Sequence, residues 1–178
     1  MGKKMNTRDI SFIALFTALT VVLAQISIPM PYGVPMTMQT FAVSLAGILL
    51  GARKGFISAL LYVLLGAIGL PVFANLSGGL GIVLGPTGGF ILSFPLMAWL
   101  IGLGAQTENK LYLALGLLSG TAVNYICGMA MFSAFTGKGL DVAFVACVLP
   151  FIPTTIVKLI VAGFVGLKIR ARHLIPAA

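Results

Sequence analysis

Three acidic residues are all that this chain of 178 contains, and none of them lies inside an apolar run: Asp9, Glu108 and Asp141 fall at run ends or in the polar breaks between runs. A soluble domain carries about 25% charged residues. Here the share is 8%, with 60% hydrophobic residues and a mean hydropathy of +1.13. The solvent of such a chain is the bilayer. A membrane helix needs about 20 apolar residues, so the length allows about six of them with little left over. An all-α integral membrane fold follows, a single transmembrane domain over 1–178 with no room for a soluble catalytic or nucleotide-binding domain.

The apolar runs can be placed in order. Lys3, Lys4 and Arg8 precede a run from 10 to about 28. A signal peptide starts the same way, but this run is too long and residues 22–27 offer no small-x-small cleavage site, so it reads as the first membrane helix. Residues 28–36 form an uncharged, Pro-punctuated loop. Residues 37–50 make a short second span, 51–55 a basic turn, and 56 to about 68 a third span. Residues 69–89 are broken by Gly and Pro yet carry no charge. Irregular backbone at membrane depth persists only when buried in protein or lining a cavity, so this segment reads as the cover of a site. The fourth span runs from 90 to about 104, the fifth from 111 to 135, and the last from 142 to 167, interrupted at Pro150 and Pro153.

With this count both termini share one side. Lys3, Lys4, Arg8, Arg53, Lys54, Lys110, Lys168, Arg170 and Arg172 fall on that side, and only Lys138 falls in an opposite loop. Positive residues face the cytoplasm, so N and C termini are expected there and loops 28–36 and 69–89 outside. The formal charge of +8 therefore reads as orientation, with no nucleic acid as partner. Cys127 and Cys147 sit in apolar surroundings without metal-ligand spacing and read as packing residues. The single His, His173, lies in the tail.

Lys158 is the remaining basic residue, the only charge inside an apolar run. A charged side chain so placed costs about 2.5–3.5 kcal/mol on insertion scales, and the sequence supplies no acidic partner. Snorkelling to an interface is the plain alternative, although Lys158 lies several turns from the basic end. The other polar residues in or capping spans are few: Gln25, Thr37, Gln39, Asn75, Thr87, Asn124, Tyr125, Thr154 and Thr155. A lone Thr usually bonds its own helix carbonyl, and Asn75 also suits a turn before Ser77-Gly78-Gly79. As a set these groups suit a small neutral ring carrying a carboxylate for Lys158. Small residues four apart (Ala14/Ala18, Gly47/Gly51, Gly116/Gly120, Ala162/Gly166) let helix backbones approach. Internal packing accounts for them, except that Ala14/Ala18 on the first helix can present a face to another subunit.

Catalytic signatures are missing. Gly85-Pro-Thr-Gly-Gly89 lacks the ending of a P-loop, and Gly79-Leu-Gly81 does not continue to a dinucleotide fingerprint. Paired carboxylates, a Ser-His pair and metal ligands are absent, so no enzyme, no cofactor and no metal are expected. A proton-coupled carrier draws on a titrating Asp, Glu or His in the membrane, and none is present.

Val34-Pro-Met-Thr-Met-Gln-Thr40, Leu49-Leu-Gly51, Gly66-Ala-Ile-Gly-Leu-Pro-Val-Phe73 and Gly85-Pro-Thr-Gly-Gly-Phe90 resemble the BioY family, the biotin-binding S components of energy-coupling factor (ECF) transporters. The similarity runs from about Ala14 to Lys158. It implies a bundle of six transmembrane helices in the ECF S-component fold, sited in a bacterial cell membrane, with a biotin pocket near the outer surface. It also implies that Ala14 and Ala18 pack on a transmembrane coupling subunit driven by two ABC-type ATPases, and that the S component tips over in the membrane to release its vitamin. One departure stands out. The family's last helix reads Pro-Gly-Asp-x-x-Lys, and here the matching positions are Pro153, Thr154, Thr155 and Lys158. The acidic neighbour that would pair with Lys158 three residues on is Thr155.

The expectation is therefore a biotin-capturing subunit. Lys158 engages the valerate carboxylate; Asn75, Thr155 and Gln39 address the ureido head; Tyr125 lines the pocket; Thr37, Thr87, Gly88 and Gly89 complete the ligand contacts; and 69–89 closes over them. Two other readings stand beside it: an S component for another carboxylated vitamin, and a solitary secondary biotin carrier.

Overall fold

The structure, a computed structural model, describes residues 5–107 and 109–172, so Lys3, Lys4, Glu108 and His173 lie outside it. Helix α1, Thr7–Ala24, starts at a capping box. Asn6 Oδ1 accepts from the Asp9 amide at 2.8 Å, and the Asp9 carboxylate accepts from the Asn6 amide at 3.3 Å. Each satisfies a backbone donor that the first turn leaves open. Asp9 also receives the Lys54 ammonium at 2.8 Å, which pins the start of α1 to the basic turn.

After α1 come two short antiparallel strands, β1 (Ser27–Ile28) and β2 (Met36–Thr37), with Ser27 opposite Thr37. Helix α2, Gln39–Ala67, is not one rod: Gly51 sits at φ 77°, ψ 179°, which only glycine adopts freely. A Cβ placed on Gly55 would lie 3.1 Å from Gly47 Cα, whereas residues eight apart in a straight helix are about 12 Å apart. The chain folds back at Gly51, and 39–50 and 52–67 are separate legs, matching the break expected from the basic turn.

The first leg, 39–50, is about 18 Å long at the helical rise, well short of an apolar core of about 30 Å. It begins at Gln39 partway up the bundle. The β1–β2 ribbon precedes it, and residues of its loop line a cavity together with Gln39 and Thr40.

Helix α3 is a single turn, Leu80–Val83, within the Gly/Pro-rich segment. Helix α4, Gly88–Gln106, is clasped between α2 and α5, Lys110–Thr136. Glycines make the clasp possible. A Cβ on Gly47 would lie 2.7 Å from the Ala98 carbonyl oxygen, one on Gly116 2.9 Å from Leu100 O, one on Gly120 2.9 Å from Met97 O, and one on Gly102 would strike the backbone of Gly51 and Ala52. Gly166 packs likewise on Ile48. Three of the four small-residue pairs are thus internal, while Ala14 and Ala18 are exposed on α1.

Helix α6, Leu140–Cys147, ends at a tight turn over Leu149–Phe151, and α7, Ile152–Arg170, follows with Pro153 in its first turn. A proline there removes no helical hydrogen bond. The buried residues of α7 form one stripe, Thr155, Lys158, Ala162 and Gly166: polar in its first half, small in its second. Its other faces expose Ile156, Val157, Ile160, Val161 and Phe164, as lipid contact requires.

Among the described residues, five helical segments are long and apolar enough to cross a membrane, and the fold-back at Gly51 divides one of them into two legs. Asp9–Lys54, Gly102–Gly51 and a hydrogen bond from Arg170 to the Ala105 carbonyl gather at one end of the bundle. Arg8, Arg53, Lys110, Lys168 and Arg172 belong to that end. Lys138 lies at the other, its ammonium 5.5 Å from the Tyr32 ring centre.

Candidate ligand-binding site

A cavity of about 450 Å³ opens at the end away from the basic cluster, within the 300–1,000 Å³ usual for small-molecule sites. Its apolar walls come from the 29–35 loop and from Phe73, Phe90, Phe94 and Phe151. Its polar groups come from the start of α2, the 73–77 turn, α5 and α7. Lys158 is the only charged side chain among the described residues that line it.

The chain read as a lone cation has partners. Lys158 Nζ donates to the Thr37 carbonyl oxygen at 3.0 Å and to Thr40 Oγ1 at 3.2 Å. Thr37 precedes the first turn of α2, so its carbonyl lies outside the helix and faces α7. The sequence offers no acidic partner, and the one found is instead a backbone acceptor 121 residues away. Snorkelling is also excluded, since Lys158 is 9% exposed and its ammonium is held inside. Both partners are uncharged. An ammonium carries three hydrogens, so two are engaged and the positive charge has no carboxylate within ion-pair distance among the described residues.

A polar chain runs beside it. Thr37 Oγ1 donates to Gln39 Oε1 at 2.7 Å, Gln39 Nε2 donates to Tyr62 Oη at 2.6 Å, and Tyr62 donates to the Val72 carbonyl at 3.0 Å. Tyr62 is fully buried behind Gln39 and fixes its amide. On the far wall Tyr125 Oη and Thr155 Oγ1 are 2.6 Å apart. Next to Tyr125, Asn124 Nδ2 donates to the Phe90 carbonyl at 2.9 Å and to Ser93 Oγ at 2.8 Å.

The 73–77 turn is held from outside by α1. Gln25 Nε2 donates to the Phe73 carbonyl at 3.1 Å, and Gln25 Oε1 accepts from the Leu76 amide at 2.9 Å. These two bonds bracket Asn75, which sits at φ 58° with Leu76 at φ 53°. Left-handed backbone is tolerated by Asn and strained for Leu, and the clamp braces the turn beside its own bonds from the Phe73 amide to Ser77 O at 2.9 Å and from Ser77 Oγ to Ala74 O at 2.7 Å. Phe73 is seated by Gly66, where a Cβ would enter its ring.

Of the residues singled out from the sequence, Lys158, Thr155, Asn75, Gln39, Thr37, Thr87 and Tyr125 line this one cavity. Gly88 and Gly89 do not. A Cβ on Gly88 would strike the Val83 carbonyl and one on Gly89 the Cys127 carbonyl; both glycines let the start of α4 lie on backbone. Sequence reasoning passed over Thr40, Ser77 and the phenylalanine walls, and named Asn124 only within the set of polar residues in the spans. Asn124 was visible as a rare polar residue in α5, but nothing in an apolar helix marks which face is inward. Among the described residues no group of three His, Cys, Asp or Glu side chains is placed to hold a metal ion.

Known proteins resemble this chain along nearly its whole length. A family model described as the BioY family matches residues 1–174. A probable biotin transporter BioY of Pyrococcus horikoshii is 43% identical over 93% of this chain and 98% of its own length. The biotin transporter BioY of Thermotoga maritima is 41% identical over 88% and 92%. A crystal structure of the S-component for biotin from an ECF-type ABC transporter superposes with a TM-score of 0.86 at 27% identity, covering 94% of this chain and 95% of that one. The helices long and apolar enough to cross the bilayer accord with these relatives, and the fold is that of an ECF S-component. This chain is a multi-pass membrane protein that belongs to the BioY family.

Proposed function

We propose that this protein captures biotin from the outer side of the membrane and passes it inward with an ECF coupling subunit and two ABC-type ATPases. It transports its ligand unchanged. The observation that carries the reading is the Lys158 ammonium, enclosed in an otherwise uncharged cavity and bonded only to neutral oxygens. An ionisable group kept at such depth is by default a functional one, and a ligand carboxylate completes it. The relatives' shared description as biotin transporters names the ligand. In this arrangement the valerate carboxylate meets Lys158, the ureido ring lies among Asn75, Gln39 and Thr155, and the phenylalanines enclose the bicyclic rings. The basic end faces the cytoplasm and the cavity faces outward. Ala14 and Ala18, exposed on α1, offer the coupling subunit a surface for close helix packing.

The test is equilibrium binding of labelled biotin to the purified chain in detergent, with desthiobiotin and lipoate as competitors. Desthiobiotin keeps both ureido ring and carboxylate and displaces the label; lipoate, which lacks the ureido ring, leaves it in place. Equal displacement by lipoate means the pocket takes a carboxylated chain of another kind. Uptake by cells lacking every coupling ATPase would overturn the dependence on that module.

A further inference from the structure

Asn124 is 1% exposed yet borders the cavity, and its amide can face only one way. The oxygen it approaches, Phe90 O, is a carbonyl and only accepts hydrogen bonds. Ser93 Oγ spends its own proton on that carbonyl at 3.0 Å, so it too offers Asn124 a lone pair. Reversing the amide would set Asn124 Oδ1 2.9 Å from the Phe90 carbonyl oxygen, two acceptors face to face whatever Ser93 does with its proton. The nitrogen must therefore point at Phe90 and Ser93, and both of its hydrogens are engaged there, at 2.9 and 2.8 Å. The Phe90 ring sits where a Cβ on Gly128 would be, which fixes that carbonyl between α4 and α5. What remains is Oδ1, an acceptor with no protein donor among the described residues.

We propose that Asn124 Oδ1 is a specificity-determining acceptor for a ring N–H of the ligand. On the biotin reading above, on which this rests, that group is one ureido N–H. Thr155 cannot play the same part as cleanly, because its hydroxyl is shared with Tyr125 at 2.6 Å and either atom can donate. Asn124 admits no such ambiguity: held at its nitrogen, it accepts and nothing else. It rejects a ligand that presents an oxygen or a tertiary nitrogen at that point, because two acceptors would then face each other out of reach of water.

The experiment compares biotin with two analogues, each carrying oxygen in place of one ureido N–H, on the wild-type full-length chain and on Asn124→Leu. One analogue is expected to bind the wild type about 5- to 150-fold more weakly than biotin, the range for leaving a buried acceptor unpaired. Asn124→Leu is expected to lose a similar factor for biotin and to distinguish biotin from that analogue less than twofold. Biotin bound equally by both proteins overturns the assignment, and so do two analogues that both match biotin on the wild type, a readout that needs no variant to fold. Failure of the wild type to bind biotin overturns the biotin reading itself and the ureido assignment with it. Tyr125→Phe serves as a reference: loss of its hydroxyl is expected to weaken biotin and both analogues alike.

Discussion

The Lys158 ammonium lies 3.0 Å from the carbonyl oxygen of Thr37, so the charge on the last helix is tied to backbone at the very start of α2. The bond orients the cation without neutralising it. Lys158→Met is expected to weaken biotin about 10- to 150-fold, the range for a hydrogen-bonded charge at 1.5–3 kcal/mol. Biotin amide, which carries no carboxylate charge, should bind wild type and variant within a few-fold of each other. Without ligand the variant's unfolding temperature should hold or rise, because a buried ion with only neutral partners is poorly compensated. Titration calorimetry and a thermal shift in detergent check both. Equal biotin affinity in the two proteins would sink the carboxylate role.

Gln25 is expected to govern the residence of the ligand more than its entry. Its two bonds to the 73–77 turn are worth about 0.5–1.5 kcal/mol each. Gln25→Ala should therefore release labelled biotin about 5- to 150-fold faster, with an association rate changed by no more than a few-fold. Gln25→Glu keeps the acceptor for Leu76 and loses the donor to Phe73, and should fall between. An unchanged dissociation rate in Gln25→Ala would show that the turn holds itself.

Two glycines separate close packing from mere composition. A Cβ on Gly102 meets the backbone of Gly51 and Ala52, whereas one on Gly81 meets nothing within 4 Å. Gly102→Ala should destabilise by about 1–3 kcal/mol, the range for overpacking, since backbone cannot move aside as a side chain would. Gly81→Ala should be neutral or stabilise by about 0.4–1 kcal/mol through the unfolded state. Thermal unfolding of the two variants beside wild type decides it.

Orientation is checked with single cysteines in a chain where Cys127 and Cys147 are replaced by Ala. Lys138→Cys should react with a membrane-impermeant maleimide on intact cells, and Arg172→Cys only after permeabilisation. The reverse pattern would invert the outward-facing cavity.

Much of this was legible because membrane chains betray their breaks. The basic residues after Gly51 interrupt the hydropathy where the backbone reverses, and Pro150 and Pro153 mark the joint between α6 and α7. Lys158 and Thr155 stood out because polarity is rare in such runs. Inward faces were not legible: an apolar helix in lipid is hydrophobic all round, so Phe90 and Phe94 carry no mark of the cavity they border. Nor could spacing show that Gln25 reaches Leu76, 51 residues on, or that Gly88 and Gly89 serve backbone contact. Those facts exist only once the helices are assembled.

The glycine seam in the basic half of the bundle carries one more consequence. At Gly47, Gly102, Gly116 and Gly120 helices meet backbone to backbone or nearly so, and no side-chain rotation can part them. The opposite half holds the 29–35 loop and the 73–77 turn, although Gly88 and Gly89 pack the start of α4 on backbone there as well. Close backbone packing along the seam ties α2, α4 and α5 to one another away from the cavity mouth. On the transport reading proposed above, the ligand enters and leaves this arrangement by the mouth, and delivery to the other side would require the bundle to reorient as one body.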